Sequence, residues 1–268
     1  MDEYLEANRE NWNELVAIHE KSKFYDLAGF KSGKSSLKSV ELEELGNVSG
    51  KSLLHLQCHF GLDTLSWARL GAKVTGVDFS DKAISVARSL SKELGIEANF
   101  ICSNVYDLPK VLSDQFDIVF TSYGVLCWLP DLWKWGRVIA RFTRRKGTFY
   151  MVEDHPFTQV FYGEIDATEL KVTNPYFHSP EPTREGPGIG TYADPTAEVH
   201  TPEYEWIHSL GDSVNCLVSA GLRIEFLHEF PFNVWKRFPF LEQGEDGLWR
   251  MKRGKPQIPL LFSIKATK

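Results

Sequence analysis

Ser52 to Ser80 reads SLLHLQCHFGLDTLSWARLGAKVTGVDFS, and the first half of this stretch decides the fold. Ser52 to Leu56 reads as an apolar strand, QCHFG as a tight loop, and Leu62 to Leu70 as a helix closed by Gly71. Strand, glycine turn and helix in that order give the outline of a nucleotide-binding unit. Yet Gln57 and His59 stand where such turns usually carry glycine, and only Gly61 survives. Lys73 to Val77 is a second strand ending at Asp78. Ser80 then caps a helix over Asp81 to Leu94, where Ala83, Ile84, Ala87, Leu90 and Leu94 share one face and Gly95 ends the run.

The same rhythm continues downstream. Ala98 to Cys102 reads as a third strand, and FDIVFTS (Phe116 to Ser122) is nearly unbroken in apolar character, as the centre of a parallel sheet requires. A helix follows over Leu132 to Phe142 and a fifth strand over Gly147 to Glu153. This alternation predicts an α/β fold: a doubly wound, Rossmann-like, mostly parallel sheet. Arg223 to Glu229 and Pro259 to Ala266 are strands with no helix between them, which adds an antiparallel hairpin at the sheet edge. Tyr204 to Ala220 reads as a helix ended by Gly221.

Upstream, residues 3–20 set Leu5, Trp12, Leu15, Val16 and His19 on one helical face, and Val40 to Leu45 forms a short helix. From His155 to about Thr201 no period is visible, and a stretch that long inside a compact domain serves as a lid or binding loop. The expected organisation is a helical cap segment (1–45), a binding core (46–154), an irregular lid or substrate segment (155–201), and the C-terminal part of the sheet (202–268).

The 268 residues are 43% hydrophobic and carry a net charge of −6, which argues against a general nucleic-acid binder. The run Arg141, Arg144, Arg145, Lys146 is a local exception, read as the basic last turn of a helix. Cys58, Cys102, Cys127 and Cys216 are scattered without CxxC spacing, as expected of reduced thiols in the cytoplasm. The acidic, amphipathic start resembles neither a signal nor a transit peptide, and no apolar run approaches the roughly 20 residues of a membrane span. His55, Cys58 and His59 lack a second pair at ligand spacing, so no metal is expected.

In an open parallel sheet, ligands bind beyond the carboxyl ends of the strands, where QCHFG, Asp78 and CSNVYDLP converge. A dinucleotide needs G-x-G-x-x-G so that amides close on its pyrophosphate, and Gln57 and His59 put side chains in that approach. S-adenosylmethionine carries no phosphate. It asks for a tight turn, an acid for the ribose, and polar groups for adenine and the ammonium.

Taken together, LLHLQCHFG, VTGVDFS, SNVYDLP and FDIVFTSYGVLCWLPDL resemble the class I S-adenosylmethionine-dependent methyltransferases over residues 48–153. The turn is most similar to that of a bacterial subgroup in which it is written H-x-Q-C-H-F-G. The resemblance implies that Gly61 and the main chain of Gln57, Cys58 and His59 border the methionine end, with His55 in place of the usual first acid. It also implies that Asp78 binds the ribose, that Asn104 and Val105 meet the adenine, and that Ser122 sits near the amino-acid moiety. Phe79 is expected to cover an adenine face and Tyr25 to reach over the cofactor. Glu153, Asp154 and His155, at the tip of strand five, are candidates for general base or substrate holder. The implied reaction is in-line methyl transfer to a small-molecule acceptor, with neither nucleic acid nor membrane as partner. The alternative is a non-catalytic S-adenosylmethionine- or nucleoside-binding protein of the same fold.

Overall fold

The computed structural model describes residues 3–161 and 167–268, so part of the 155–201 segment (residues 162–166) lies outside the described residues. Seven strands form the central sheet: β1 (Ser52–Leu56), β2 (Lys73–Asp78), β3 (Asn99–Cys102), β4 (Phe116–Ser122), β5 (Thr143–Asp154), β6 (Arg223–Phe230) and β7 (Leu261–Thr267). Their spatial order is β6-β7-β5-β4-β1-β2-β3. Strands β1 to β5 run parallel, and β7 is antiparallel to both β5 and β6. The chain reverses its direction of travel across the sheet between β1 and β4, the place where open parallel sheets bind ligands beyond the carboxyl ends of their strands.

The helices are α1 (Glu3–His19), α2 (Leu27–Lys31), α3 (Ser39–Leu45), α4 (Leu62–Arg69), α5 (Asp81–Leu94), α6 (Leu132–Phe142), α7 (Pro156–Gln159) and α8 (Leu210–Ser219). On one sheet face, Leu54, Val119, Phe149 and Ile264 pack against Trp135 and Ile139 of α6 and Leu217 of α8. On the other, Leu53, Phe120, Tyr150 and Val152 meet Trp67 of α4 and Val40 of α3. FDIVFTS is apolar almost throughout because both of its faces are covered.

The hairpin pairs antiparallel at the sheet edge as expected, with β7 between β5 and β6. Two expectations change. The helix expected over Tyr204 to Ala220 begins only at Leu210. The Ser209 hydroxyl there accepts from the Asp212 amide at 3.1 Å, and the Asp212 carboxylate accepts from the Ser209 amide at 3.1 Å. Glu203–Glu205 is instead a strand paired with Thr183–Glu185. The buried Asn8 side chain completes it like a neighbouring strand, accepting from the Tyr204 amide at 2.7 Å and donating to the Tyr204 carbonyl at 2.8 Å. Finally, α6 ends at Phe142 as expected, so of the basic run only Arg141 lies in its last turn, while Arg144, Arg145 and Lys146 open β5 and do not answer a helix dipole.

Helix α1 lies across the carboxyl ends and is stitched down at both sides. Asn13 accepts from the Ser80 hydroxyl at 2.6 Å and donates to Asp81 at 2.8 Å. Glu14 accepts from the amides of His200 and Thr201 at 2.9 and 3.0 Å. Among the described residues no helix is long and apolar enough to cross a membrane.

Helices α6 and α8 approach closely through Gly136, where a Cβ would lie 2.6 Å from the Cys216 carbonyl oxygen. Gly136→Ala is expected to destabilise the fold by about 1–3 kcal/mol despite alanine's better helix propensity, because main chain cannot yield as a side chain does. Urea unfolding measures this, and an unchanged or raised midpoint would mean that the two helices have slack at this contact.

Candidate active site

The QCHFG loop takes the shape of a glycine-rich turn with only one glycine. Gln57, His59 and Gly61 are all left-handed, with φ of 57°, 49° and 79°. For the two non-glycine residues this conformation costs about 1–2 kcal/mol each, so other contacts must hold it. Gln57 donates to the Val125 carbonyl at 3.0 Å. The Cys58 amide donates to Val77 at 2.9 Å, and the His59 amide donates to Asp78 Oδ2 at 2.8 Å. Gly61 is kept for space as well as for φ, since a Cβ there would lie 2.7 Å from the Phe100 ring.

Asp78, at the tip of β2, is buried and accepts a second amide, from Ser80, on Oδ1 at 2.9 Å. Burial pushes its carboxyl up to about 6, against the pull of these amides. Each oxygen keeps a further lone pair. Phe79 is half-buried beside it. Asn104 Oδ1 accepts from the Tyr106 amide at 2.9 Å and fixes the turn that carries buried Val105. Ser122, at the tip of β4, donates to Asp63 at 3.1 Å in the first turn of α4. Tyr25 lies over the loop, its ring 4.8 Å from Phe60 and 5.5 Å from His59.

Other candidates sit elsewhere or are engaged. His55 is buried between β1 and α4, its Nδ1 2.8 Å from the Thr64 hydroxyl and its ring 4.8 Å from Phe120, so it belongs to the packed layer under the loop. Burial pushes it down to about 4. The Cys58 thiol also turns into that layer, against the Gly76 backbone, and burial holds it protonated. His155 caps α7, its Nδ1 accepting from the Phe157 amide at 3.1 Å while Nε2 faces Glu229 at 2.9 Å. Both ring nitrogens are therefore occupied.

Glu153 accepts four main-chain amides, those of Gly124, Val125, Leu126 and Asp154. The left-handed pair Tyr123 and Gly124 curls three of those amides around one carboxylate, which makes Glu153 the organiser of the loop after β4. Burial, then the neighbouring Asp154, pushes it up to about 7, while the amides favour its ionised form. Asp154 is half-buried and accepts from Asn233 at 2.6 Å and from the Trp235 indole at 3.1 Å. Among the described residues no group of three or more His, Cys, Asp or Glu could hold a metal ion.

Two contributors were not foreseen. His19 of α1 is fully buried with Nδ1 3.1 Å from His59 Nε2, so one proton is shared between two neutral rings. Desolvation pushes His19 down to about 4 and His59 down as well. His19 Nε2, His59 Nδ1 and Gln57 Oε1 are buried without a partner, three orphan polar atoms on one loop and its cover. Tyr192 supplies the other half of the roof: its hydroxyl meets that of Tyr25, and its ring is 4.9 Å from His19. Trp12 lies 5.0 Å from His59 and 5.3 Å from Trp128.

Residues 54–151 match the family described as methyltransferase domain. The chain is 29% identical over 134 residues to a ubiquinone biosynthesis O-methyltransferase of Aeromonas salmonicida, covering 48% of this chain and 56% of that one. It is 34% identical over 89 residues to the Bordetella pertussis protein of the same name, covering 33% of this chain and 36% of that one. The chain thus spans between about a third and just over half of the length of these relatives. Among solved structures, an S-adenosylmethionine dependent methyltransferase from Mesorhizobium loti superposes with a TM-score of 0.58 at 19% identity, covering 89% of this chain and all of that one. The fold is the Rossmann-like fold of these methyltransferases.

The histidine pair gives a pH-dependent signature. His19 binds its proton less tightly folded than unfolded, so it costs stability as pH falls from about 6.5 towards 4. His19→Ala is expected to destabilise at pH 7 by about 1–3 kcal/mol, with the gap to wild type narrowing by about 1–2 kcal/mol at pH 5. Urea melts at the two pH values measure this. An equal gap at both would mean that the ring is not held neutral.

Proposed function

We propose that the protein is an S-adenosylmethionine-dependent methyltransferase that moves the methyl group to a small-molecule acceptor by in-line displacement. One observation carries this reading. A buried carboxylate at the tip of β2 is tied to a left-handed loop whose own polar atoms, Gln57 Oε1 and His59 Nδ1, have no partner. Those orphan atoms fit a polar, phosphate-free nucleoside. They fit a pyrophosphate poorly, because side chains stand where its oxygens would need glycine amides.

In this reading Asp78 holds the ribose hydroxyls, Asn104 and Val105 meet the adenine, and Phe79 covers its face. The main chain from Gln57 to Gly61 borders the methionine end. Ser122 and Asp63, joined at 3.1 Å, offer hydroxyl and carboxylate oxygens to the ammonium. Tyr25 and Tyr192 roof the pocket, which makes the N-terminal helices and the 155–201 segment its cover. The H-x-Q-C-H-F-G spelling then marks a subgroup in which side-chain contacts replace glycine.

The bound cofactor supplies a methyl already activated by positive sulfur. The chain's task is alignment and exclusion of water, which is worth about 7–11 kcal/mol when two reactants are held in attack geometry. At the tip of β5, Glu153 is saturated by amides and His155 is a cap, so both act as positioning residues. Asp154 is the member of the trio able to hold the acceptor or take its proton, and burial pushes its carboxyl up. The two relatives are named as O-methyltransferases, which supports an oxygen acceptor.

A second reading, a cofactor-binding protein without turnover, is favoured by the replaced glycines Gln57 and His59. Release of S-adenosylhomocysteine on incubation with S-adenosylmethionine and a panel of small phenols and other hydroxyl compounds separates the two. Binding without release across the panel would favour the second reading.

Asp78→Ala is expected to weaken S-adenosylhomocysteine binding by about 10–100-fold, the loss of one or two hydrogen bonds to a charged group. Calorimetric titration reads it, and unchanged affinity would remove the ribose role. Asp154→Asn is expected to slow turnover by about 10²–10⁴-fold while leaving that affinity within about twofold. Undiminished turnover would remove Asp154 from the reaction.

A further inference from the structure

We propose that the amino end of the sheet carries a second binding site, for a small soluble phosphate-bearing anion. A cavity of about 140 Å³ opens where β1, β4 and β5 begin, at the opposite end of the strands from Asp78 and the QCHFG loop. Lys51, Arg144, Lys146 and Lys265 line it, with Asp117 as the one acidic wall. That acid is committed to the fold. Asp117 Oδ2 accepts from the Ser52 amide at 2.8 Å and from its hydroxyl at 2.9 Å, and Oδ1 pairs with Arg144.

The other cations are poorly matched. Lys265 reaches the Glu44 carbonyl at 3.5 Å, Glu225 at 3.9 Å and the face of the Phe226 ring at 5.8 Å, all at long range. Lys51 and Lys146 make no ion pair among the described residues.

The basic run that opens β5 is held rigidly at this rim. Lys146 is left-handed, with φ of 63°, and its amide donates to the Lys268 carbonyl at 2.8 Å. At the adjoining Gly147 a Cβ would lie 2.8 Å from the Arg144 carbonyl oxygen and 3.0 Å from that of Phe116, so this bulge in β5 is packed against the start of β4. A strained backbone of this kind, here with a lysine at its apex, clusters at ligand sites.

Arg144 is offset by Asp117, and the three lysines that remain at one recess, in a chain of net charge −6, repel one another and are relieved by a counter-anion. Several point charges and a guanidinium fork suit a phosphoryl group better than a single carboxylate. The compact recess and the negative charge of the whole chain favour a small molecule over a nucleic-acid backbone or an anionic bilayer.

The test is titration calorimetry of the full chain with pyrophosphate and with inorganic phosphate at low ionic strength. One-to-one saturable binding of pyrophosphate is expected, weakened by about tenfold or more in Lys51→Gln/Lys146→Gln and unchanged in Arg145→Gln, which removes a neighbouring charge outside the cavity. Both lysines are exposed, so the double variant is expected to keep its melting temperature. S-adenosylhomocysteine affinity in the double variant separates this site from the crevice and is expected to stay the same whether or not the proposed activity holds. Three results would each overturn the proposal: no saturable binding, equal weakening by Arg145→Gln, or retention on phosphatidylglycerol vesicles that outcompetes pyrophosphate.

Discussion

The Asp78 carboxylate accepts the amide of His59 on one oxygen and that of Ser80 on the other, and so joins the loop after β1 to the turn after β2. The register of the two parallel strands, with Leu56 level with Val77, brings these tips together. Burying a carboxylate is costly, as the upward shift of its pKa records, and two amides offset part of that cost. In return the His59 main chain is anchored in a conformation that its side chain disfavours. The geometry of the crevice follows from this anchor, since Gln57, His59 and Gly61 turn the chain into α4 without the usual set of glycines.

Side chains that replace glycine must be given somewhere to go, and the rest of the molecule supplies it. Gln57 reaches the loop after β4, which Glu153 shapes through its four amides. His59 reaches α1, where a second neutral imidazole receives it in a surround of Trp12, Tyr25 and Tyr192. Helix α1 is fixed by Asn8, Asn13 and Glu14 to the segment near residue 200 and to the start of α5. Tyr25 and Tyr192 close over the loop through their joined hydroxyls.

The sheet was legible because its signals are local. An apolar run covered on both faces, a serine before α5 and glycines after α4 and α5 each state a boundary without help from distant residues. The Glu203–Glu205 strand was not legible, because one of its partners is the side chain of Asn8, almost two hundred positions away, although the Ser209 and Asp212 cap that starts α8 is a local signal. The helix end at Phe142 was legible, but the basic run was read as one unit with it, whereas only Arg141 lies in the last turn and Arg144, Arg145 and Lys146 belong to β5.

In the site, an acid at the tip of a strand is visible in sequence, but the groups that saturate it are not. That is why Glu153 and His155 looked more available than their amide partners leave them. His19 sat in plain view on the buried stripe of α1. Nothing in that stripe distinguished a packed ring from one paired with His59.

The most direct measurement is a crystal structure with S-adenosylhomocysteine. The predicted result is a nucleoside lying along the QCHFG loop, ribose hydroxyls on Asp78, with the orphan nitrogens of His59 and His19 or the amide oxygen of Gln57 facing ligand or ligand-bound water. A crevice still filled by the His59 imidazole at saturating ligand would contradict the idea that bulky side chains in this turn are compatible with a cofactor.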